Sequence, residues 1–260
     1  MFEIAFDPKG STEHGFGYCT LCGQHGIFLS YEPIDTVCKR GGFICQNCES
    51  VARNRHVAMI VMQAFRDQVD CTCLREFAEK FPGRIWVGCV KEPVSRVLGS
   101  NPRVVRSDYF DGVPSGQLHN GFLCQNIQET SFDDNEFDLV ITEEVLEHVP
   151  DPAKAFGEIR RVLKPGGKHV FTIPVVWSEP HSYLRAVLED GVVRHIHPPE
   201  YHGDPFRADG VLAFSTFGMD VVEKYCSLTG PTRIYASNGN RLHEQGFQIR
   251  NNWVFVSEKV

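Results

Sequence analysis

No apolar run in this 260-residue chain nears the ~18 residues of a membrane-crossing helix, so no spanning segment is expected. Basic charge is also in deficit: 26 lysines and arginines stand against 33 aspartates and glutamates, a net charge of −7. A chain so charged has no whole-molecule field to attract a polyanion, and nucleic acid is not an expected partner. The opening residues, MFEIAFDPKG, carry too short an apolar stretch and too much acid for a secretory leader, so a cytoplasmic location is expected. A Gly-x-Gly-x-x-Gly fingerprint is missing, and with it the pyrophosphate cradle of a nicotinamide dehydrogenase. No internal repeat or low-complexity tract occurs. What is present is ordinary globular composition, 42% hydrophobic and 23% charged, with length for one large domain and a small one.

Cysteine is plentiful, with ten in the chain. In a reducing compartment a cysteine cluster points to metal more often than to disulfides, and spacing decides between them. YCTLCGQHG contains Cys19-x2-Cys22, and GGFICQNCES contains Cys45-x2-Cys48. The spacer, residues 23–44, is slightly longer than the about 15–20 residues usual for paired zinc turns. Each turn sets two sulfurs about 3.5–4 Å apart, and two turns complete a tetrahedral thiolate site for Zn2+. Gly23, Gly41 and Gly42 permit the tight backbone such knuckles need. Four thiolates leave no open position, so the zinc would be structural. Free or disulfide-paired thiols are the alternative. Cys38, Cys71 and Cys73 are read as ordinary thiols, and His14, His25 and His56 are not needed as ligands. A zinc ribbon can also read nucleic acid, but Lys39, Arg40, Arg53 and Arg55 make no basic-aromatic stripe.

From Ser50 to about Phe81, apolar residues recur near helical spacing without glycine or proline, which predicts a connecting helix capped by Ser50. Strands are predicted at 84–90, 103–110, 121–127, 136–142 and 168–174. Between the last two lies a helix with Asp151 as cap and Pro152 at its first position. Its inward face is Ala153, Phe156, Ile159 and Leu163, flanked by Ala155 and Val162, and Pro165-Gly166-Gly167 ends it. Alternating strands and helices imply an α/β domain with a mostly parallel sheet. Ligands of such sheets lie beyond the carboxyl ends of the strands. Polar or glycine residues fall in phase at four of those ends: Gly88, Asp108, Asn126 and Glu143-Glu144.

The stretch SFDDNEFDLVITEEVLEHVPDPAKAFGEIRRVLKPGGKHVFTIP (131–174) closely resembles class I S-adenosylmethionine-dependent methyltransferases of the Methyltransf_11 type. The resemblance implies a doubly wound, mostly parallel seven-stranded sheet over 84–260, after a zinc-ribbon-like lobe (1–50) and a helical connector (51–83). It implies S-adenosylmethionine as cofactor. By residue, it implies that Asp108 accepts from both ribose hydroxyls, with Tyr109 next to it, and that Asn126 accepts from the adenine amine. Ile127 would pack along the adenine, and Thr142 and Glu143 would lie near the methionine end. Glu147-His148 would be structural, opening the next helix. Asn126 replaces the acid usual in this family. The first loop also departs from the family's acid-x-Gly-x-Gly-x-Gly: Val87-Gly88-Cys89-Val90-Lys91 keeps only Gly88. A nucleoside with an amino-acid tail has no pyrophosphate to cradle, so one close backbone approach at Val87-Gly88 can serve.

The segment RHIHPPEYHGDPF (194–206) lies in an insertion around 175–212 with little periodicity. His195, His197, Tyr201, His202 and Asp204 gather there. The segment reads as a lid over the acceptor, with His197 or His202 as a general base; a second metal site and plain structural histidines are the alternatives. FSTFGMDVVEKYCSLTG (214–230) predicts an amphipathic helix with Phe214, Phe217, Val221, Val222 and Tyr225 inward, and TRIYAS and NWVFVSEK predict paired strands closing the sheet. The functional expectation is methyl transfer to a small-molecule or sugar-linked acceptor. The competing expectation is a catalytically silent zinc-binding scaffold.

Overall fold

The computed structural model describes residues 3–6, 13–30, 42–99, 101–203, 206–237 and 252–260. Cys38, Lys39, Arg40, Gly41 and Asp204 lie outside the described residues, as does the side chain of His14. Two units emerge. One comprises Met1–Pro82, Glu92–Val104 and Ile234–Val254; the other comprises Gly83–Lys91, Val105–Arg233 and Phe255–Val260.

The first unit opens with an antiparallel sheet of β1 (Glu3–Phe6), β2 (Glu13–Tyr18), β3 (His25–Ser30) and β4 (Ile44–Cys45), paired in chain order. The predicted single helix over 50–81 is two helices, α1 (Ala52–Ala64) and α2 (Leu74–Lys80). Local capping causes the break. The N–H and hydroxyl of Thr72 both donate to Glu76, at 2.9 and 3.1 Å, and the Cys73 sulfur accepts from the Glu76 N–H. Those bonds start a new helix N-terminus where apolar periodicity alone reads straight through. Nor does Ser50 cap α1. The N-cap is Val51, whose N–H donates to Asn54 Oδ1 at 3.0 Å. Phe65, Phe77 and Phe81 join the two helices, with ring centroids 4.8–5.7 Å apart. A short α3 (Pro93–Leu98) begins on its proline.

The second unit is organised by a mostly parallel sheet. Its strands are β5 (Ile85–Val87), β6 (Val104–Asp108), β7 (Leu118–His119), β8 (Phe122–Cys124), β9 (Phe137–Glu143) and β10 (Leu163–Thr172), completed by β17 (Thr232–Ala236) and β18 (Trp253–Glu258). The spatial order is β17-β18-β10-β9-β5-β6-β8-β7. The seven expected strands are thus joined by an eighth, the two-residue β7, which hairpins onto β8. β5, β9 and β10 run parallel, as do β6 and β8, while β18 returns antiparallel to β10. β9 reads FDLVITE and is buried at six of its seven positions, as a strand covered on both faces must be.

Helix α4 (Pro152–Val162) forms where its end signals place it, with Asp151 Oδ1 accepting from the Lys154 N–H at 3.1 Å. Ala155, Phe156, Ile159 and Val162 are buried; Ala153, expected inward, is exposed. Pro165-Gly166-Gly167 forms the irregular start of β10 rather than a separate loop, and the register shifts between Leu163 and Lys168.

The insertion is more ordered than its composition suggests. β11 (Tyr183–Leu184) pairs with β16 (Ser215–Thr216), β12 (Ala186–Glu189) with β13 (Val192–His195), and β14 (Tyr201–His202) with β15 (Val211–Leu212). The helix predicted over 214–230 shrinks to α5 (Val221–Lys224) and a 3-10 turn at Cys226–Leu228. Two tertiary demands displace it: Ser215–Thr216 is drawn into pairing with β11, and Gly218 packs where an added Cβ would lie 2.7 Å from the Glu179 carbonyl oxygen. Among the described residues, no helix is long and apolar enough to cross a membrane.

Candidate functional site

The strand ends named from sequence do fall along one edge of the sheet. Val87 pairs with Ile141, and Asp108 pairs with Cys124, so the carboxyl ends of β9, β5, β6 and β8 succeed one another. Val87 is buried. The Gly88 N–H continues the ladder to the Ile141 carbonyl at 3.0 Å, and a Cβ at Gly88 would sit 3.2 Å from Cγ2 of Thr142. Asp108 turns its carboxylate toward the first loop. Oδ2 accepts from the Val90 N–H at 3.2 Å and Oδ1 from the Tyr109 N–H at 2.9 Å.

Tyr109 and Asn126 line one open cavity of about 520 Å3, together with Val113, Ser115, Glu129 and Thr130. Asn126 Oδ1 accepts from the Gln128 N–H and side-chain amide, at 3.0 and 3.2 Å. Ile127 beside it is buried. The Thr142 hydroxyl lies 2.9 Å from Nε2 of buried His169, and its methyl lies against Gly88. Glu143 ends β9 opposite Thr172, and Glu144 then takes a left-handed backbone (φ 53°), turning the chain out of the sheet. A non-glycine residue uncommonly adopts that conformation.

Sequence alone does not indicate the closure of this edge by the insertion. Phe206 packs edge-on to Phe110, Lys91 Nζ lies 3.8 Å over the Phe206 ring, and Arg207 pairs with Asp111 at 3.2 Å. No spacing rule links residues so far apart in the chain.

Cys19, Cys22, Cys45 and Cys48 converge, with their sulfurs all within 4.8 Å of one another. The two turns repeat one backbone pattern. The Gly23 N–H donates to Cys19 O and the Glu49 N–H to Cys45 O, at 2.8 and 2.7 Å; the Cys19 N–H donates to Gln24 O and the Cys45 N–H to Ser50 O, at 2.9 and 3.0 Å. Gly23 (φ 74°) and Glu49 (φ 59°) are the matching left-handed residues. The Cys19 and Cys48 sulfurs are 3.8 Å apart. Two sulfurs bound at ~2.3 Å to a tetrahedral ion are ~3.8 Å apart, so the donor set fits Zn2+. Contacts from Cys22, Cys45 and Cys48 push the Cys19 pKa far below the thiol range, and the contact with Cys19 pushes that of Cys22 far above it. Four such thiols can all ionise together only around a cation.

Two neighbours of this centre have no cysteine-spacing signal. Ser50 lies 3.2 Å from the Cys48 sulfur. Arg55, wholly buried, donates to the carbonyls of Ser50 and Phe43 and lies over the Phe28 ring. Burial pulls its pKa down to about 10, while the four cysteine sulfurs favour its cation.

On the insertion, His197 is exposed and packs on Tyr183, with centroids 4.8 Å apart. His202 lies elsewhere, with Glu147 and His148, and its ring is 4.8 Å from that of His148. Glu147 and His148 sit on a 3-10 turn, Leu146–His148, rather than opening α4.

Residues 87–171 match the family described as a methyltransferase domain, Methyltransf_11. A ubiquinone biosynthesis O-methyltransferase of Coxiella burnetii is 39% identical over 56 residues, 22% of this chain and 24% of that protein. An uncharacterized methyltransferase of Schizosaccharomyces pombe is 34% identical over 97 residues, 33% of this chain and 34% of that one. The chain therefore spans between a quarter and a third of the length of these curated relatives. Among solved structures, the 1,6-didemethyltoxoflavin-N1-methyltransferase of Burkholderia thailandensis aligns with a TM-score of 0.46 at 12% identity, covering 80% of this chain and 78% of that one. Residues 87–171 are therefore similar to the methyltransferase domain Methyltransf_11, and they span β5 to β10 of the mostly parallel sheet.

Proposed function

We propose that this chain transfers the methyl group of S-adenosylmethionine to an oxygen of a small-molecule or sugar-linked acceptor. The observation that carries the reading is the Asp108 carboxylate, set at the carboxyl end of β6 between the first loop and the Tyr109–Asn126 cavity. Asp108 would accept from the ribose hydroxyls, Tyr109 and Ile127 would flank the adenine, and Asn126 would face its amine. Val87 and Gly88 would allow the close backbone approach, with Thr142 contributing backbone and Glu143 its carboxylate toward the methionine end. When bound, the cofactor supplies an electrophilic methyl on a sulfonium.

The protein's contribution is to hold the acceptor oxygen in line with that methyl and exclude water. An acceptor hydroxyl must also lose its proton. Of the two histidines considered, His202 is the better placed to take part, because it lies beside Glu147 and His148 while His197 is exposed against Tyr183. An oxygen acceptor is supported by the relatives named O-methyltransferases. The acidic chain offers no track for nucleic acid.

Cys19, Cys22, Cys45 and Cys48 would hold one structural Zn2+. Metal analysis should find about one equivalent per chain, lost when Cys45 and Cys48 become serine. Calorimetry with S-adenosylmethionine on the zinc-loaded chain tests the enzyme reading. Saturable heat supports it, whereas no heat at millimolar cofactor leaves a silent zinc-binding scaffold.

A further inference from the structure

We propose that Glu147, His148 and His202 form a second metal site, for a divalent transition ion such as Zn2+, Co2+ or Mn2+. The fold assembles it from two distant segments. Glu147 and His148 follow β9 on the 3-10 turn, and His202 lies on β14 of the insertion. The Phe214 N–H, donating to the Glu147 carbonyl at 2.8 Å, ties the insertion to that turn.

The spacing is that of donors around an ion. Glu147 Oε1 is 3.6 Å from His148 Nε2 and 3.8 Å from His202 Nδ1. Both separations are too long for hydrogen bonds. Two nitrogen or oxygen donors bound at 2.0–2.2 Å to one tetrahedral ion lie roughly 3.4 Å apart. The same reasoning, with longer metal–sulfur bonds, accounts for the 3.8 Å sulfur separation at the cysteine centre.

Each imidazole is also oriented from behind. His148 Nδ1 lies 3.0 Å from the Leu212 carbonyl, which can only accept, so Nδ1 carries the proton and Nε2 presents its lone pair toward Glu147. His202 Nε2 lies 3.2 Å from Glu200 Oε1, which by the same logic leaves the Nδ1 lone pair facing Glu147. An outer acceptor that fixes the tautomer of each histidine is the usual support of a ligating imidazole.

Glu147 is wholly buried, so its carboxylate is held in place as a donor. The His202 side chain keeps 32% exposure, which leaves an entry route. Two nitrogens and one carboxylate select a transition ion over Mg2+ or Ca2+, and three protein ligands leave a position for water or another oxygen. Resting on the methyl-transfer reading, that position would take the acceptor hydroxyl and acidify it; the ion's binding does not depend on that reading.

Mn2+ serves as the probe because a four-thiolate site disfavours it. The full, zinc-loaded chain is titrated with Mn2+, without cofactor or acceptor, and free Mn2+ is followed by electron paramagnetic resonance. One Mn2+ per chain is expected. His202→Ala and Glu147→Gln should each weaken it about 10- to 100-fold, with the His202→Ala melting curve of the zinc-loaded, Mn2+-free protein unchanged. No uptake at millimolar Mn2+, or uptake unaltered by His202→Ala, overturns the proposal. If Glu147→Gln fails to fold, His202→Ala decides alone. Cofactor calorimetry is read separately, so failure of the methyltransferase reading and failure of this site are distinguishable.

Discussion

The Thr142 hydroxyl and His169 Nε2 lie 2.9 Å apart on the neighbouring parallel strands β9 and β10. Both residues are buried. The bond locks the two strands at the point where β9 delivers Glu143 and Glu144 to the sheet edge. Thr142 thereby ties β9 to β10.

His169 also makes stability depend on pH. Burial pushes its pKa down to about 3, and burial pushes that of His56, in the first unit, down to about 4. Both stay neutral in the fold, while in the unfolded chain they titrate near 6.5. Above pH ~6.5 neither state binds the protons, and this contribution is fully present. Below it the unfolded chain takes up protons that the fold refuses, so stability falls as pH falls, by up to ~2 kcal/mol per histidine between pH 6.5 and 5. Urea unfolding across that range should show the loss, and His169→Gln should remove about one proton from the slope. A flat profile would show that His169 is not held neutral.

Where signals are local, sequence and structure agree. Asp151-Pro152 starts α4 because cap and proline act within one turn, and FDLV reads as a buried strand because its neighbours cover both faces. The cysteine turns are legible because C-x2-C fixes its own geometry. Sequence periodicity fails where distant groups intervene. The helix expected over 214–230 yields to strand pairing with Tyr183–Leu184 and to the packing of Gly218 against the Glu179 carbonyl. The partner of the Thr142 hydroxyl, His169, lies one strand away and has no signal in the sequence. The proximity of His202 to Glu147 and His148 has no signal in the sequence, because the insertion brings it there.

The Asp108 assignment predicts a graded series. Asp108→Ala should weaken cofactor binding by about 1–3 kcal/mol, roughly 5- to 150-fold, by removing charge-assisted hydrogen bonds. Asp108→Asn keeps one oxygen for the Val90 N–H and should fall between the alanine variant and the native protein. Calorimetry measures the series, and equal affinity across it would refute the ribose role.

The two cysteine knuckles share a backbone but differ at their left-handed residue, and the difference predicts opposite outcomes. Glu49→Gly should stabilise the lobe by about 0.5–1 kcal/mol, since glycine adopts φ near 59° without strain. The exposed Arg96–Glu49 pair it removes, at 2.8 Å, offsets little of that gain. Gly23→Ala should destabilise, because its backbone is also left-handed and its Cβ would lie 2.7 Å from the Cys73 sulfur. Chelator-driven zinc release, followed with a metal indicator, should slow in the first variant and quicken in the second.

Gly88 faces a single obstacle, and that makes the first loop testable by suppression. In Gly88→Ala the new Cβ would sit 3.2 Å from Thr142 Cγ2, a contact tight enough to spread β5 from β9. Spreading moves the Val90 N–H relative to Asp108, so cofactor affinity should drop together with melting temperature. Thr142→Ser deletes that methyl and keeps the hydroxyl for His169. The double variant should therefore recover most of both losses, with coupling of about 0.5–3 kcal/mol expected for residues in contact. If Gly88→Ala weakens binding but Thr142→Ser restores nothing, the glycine is needed for the approach of the cofactor itself rather than for the fit of the two strands, and the two outcomes separate a loop that binds from a loop that merely packs.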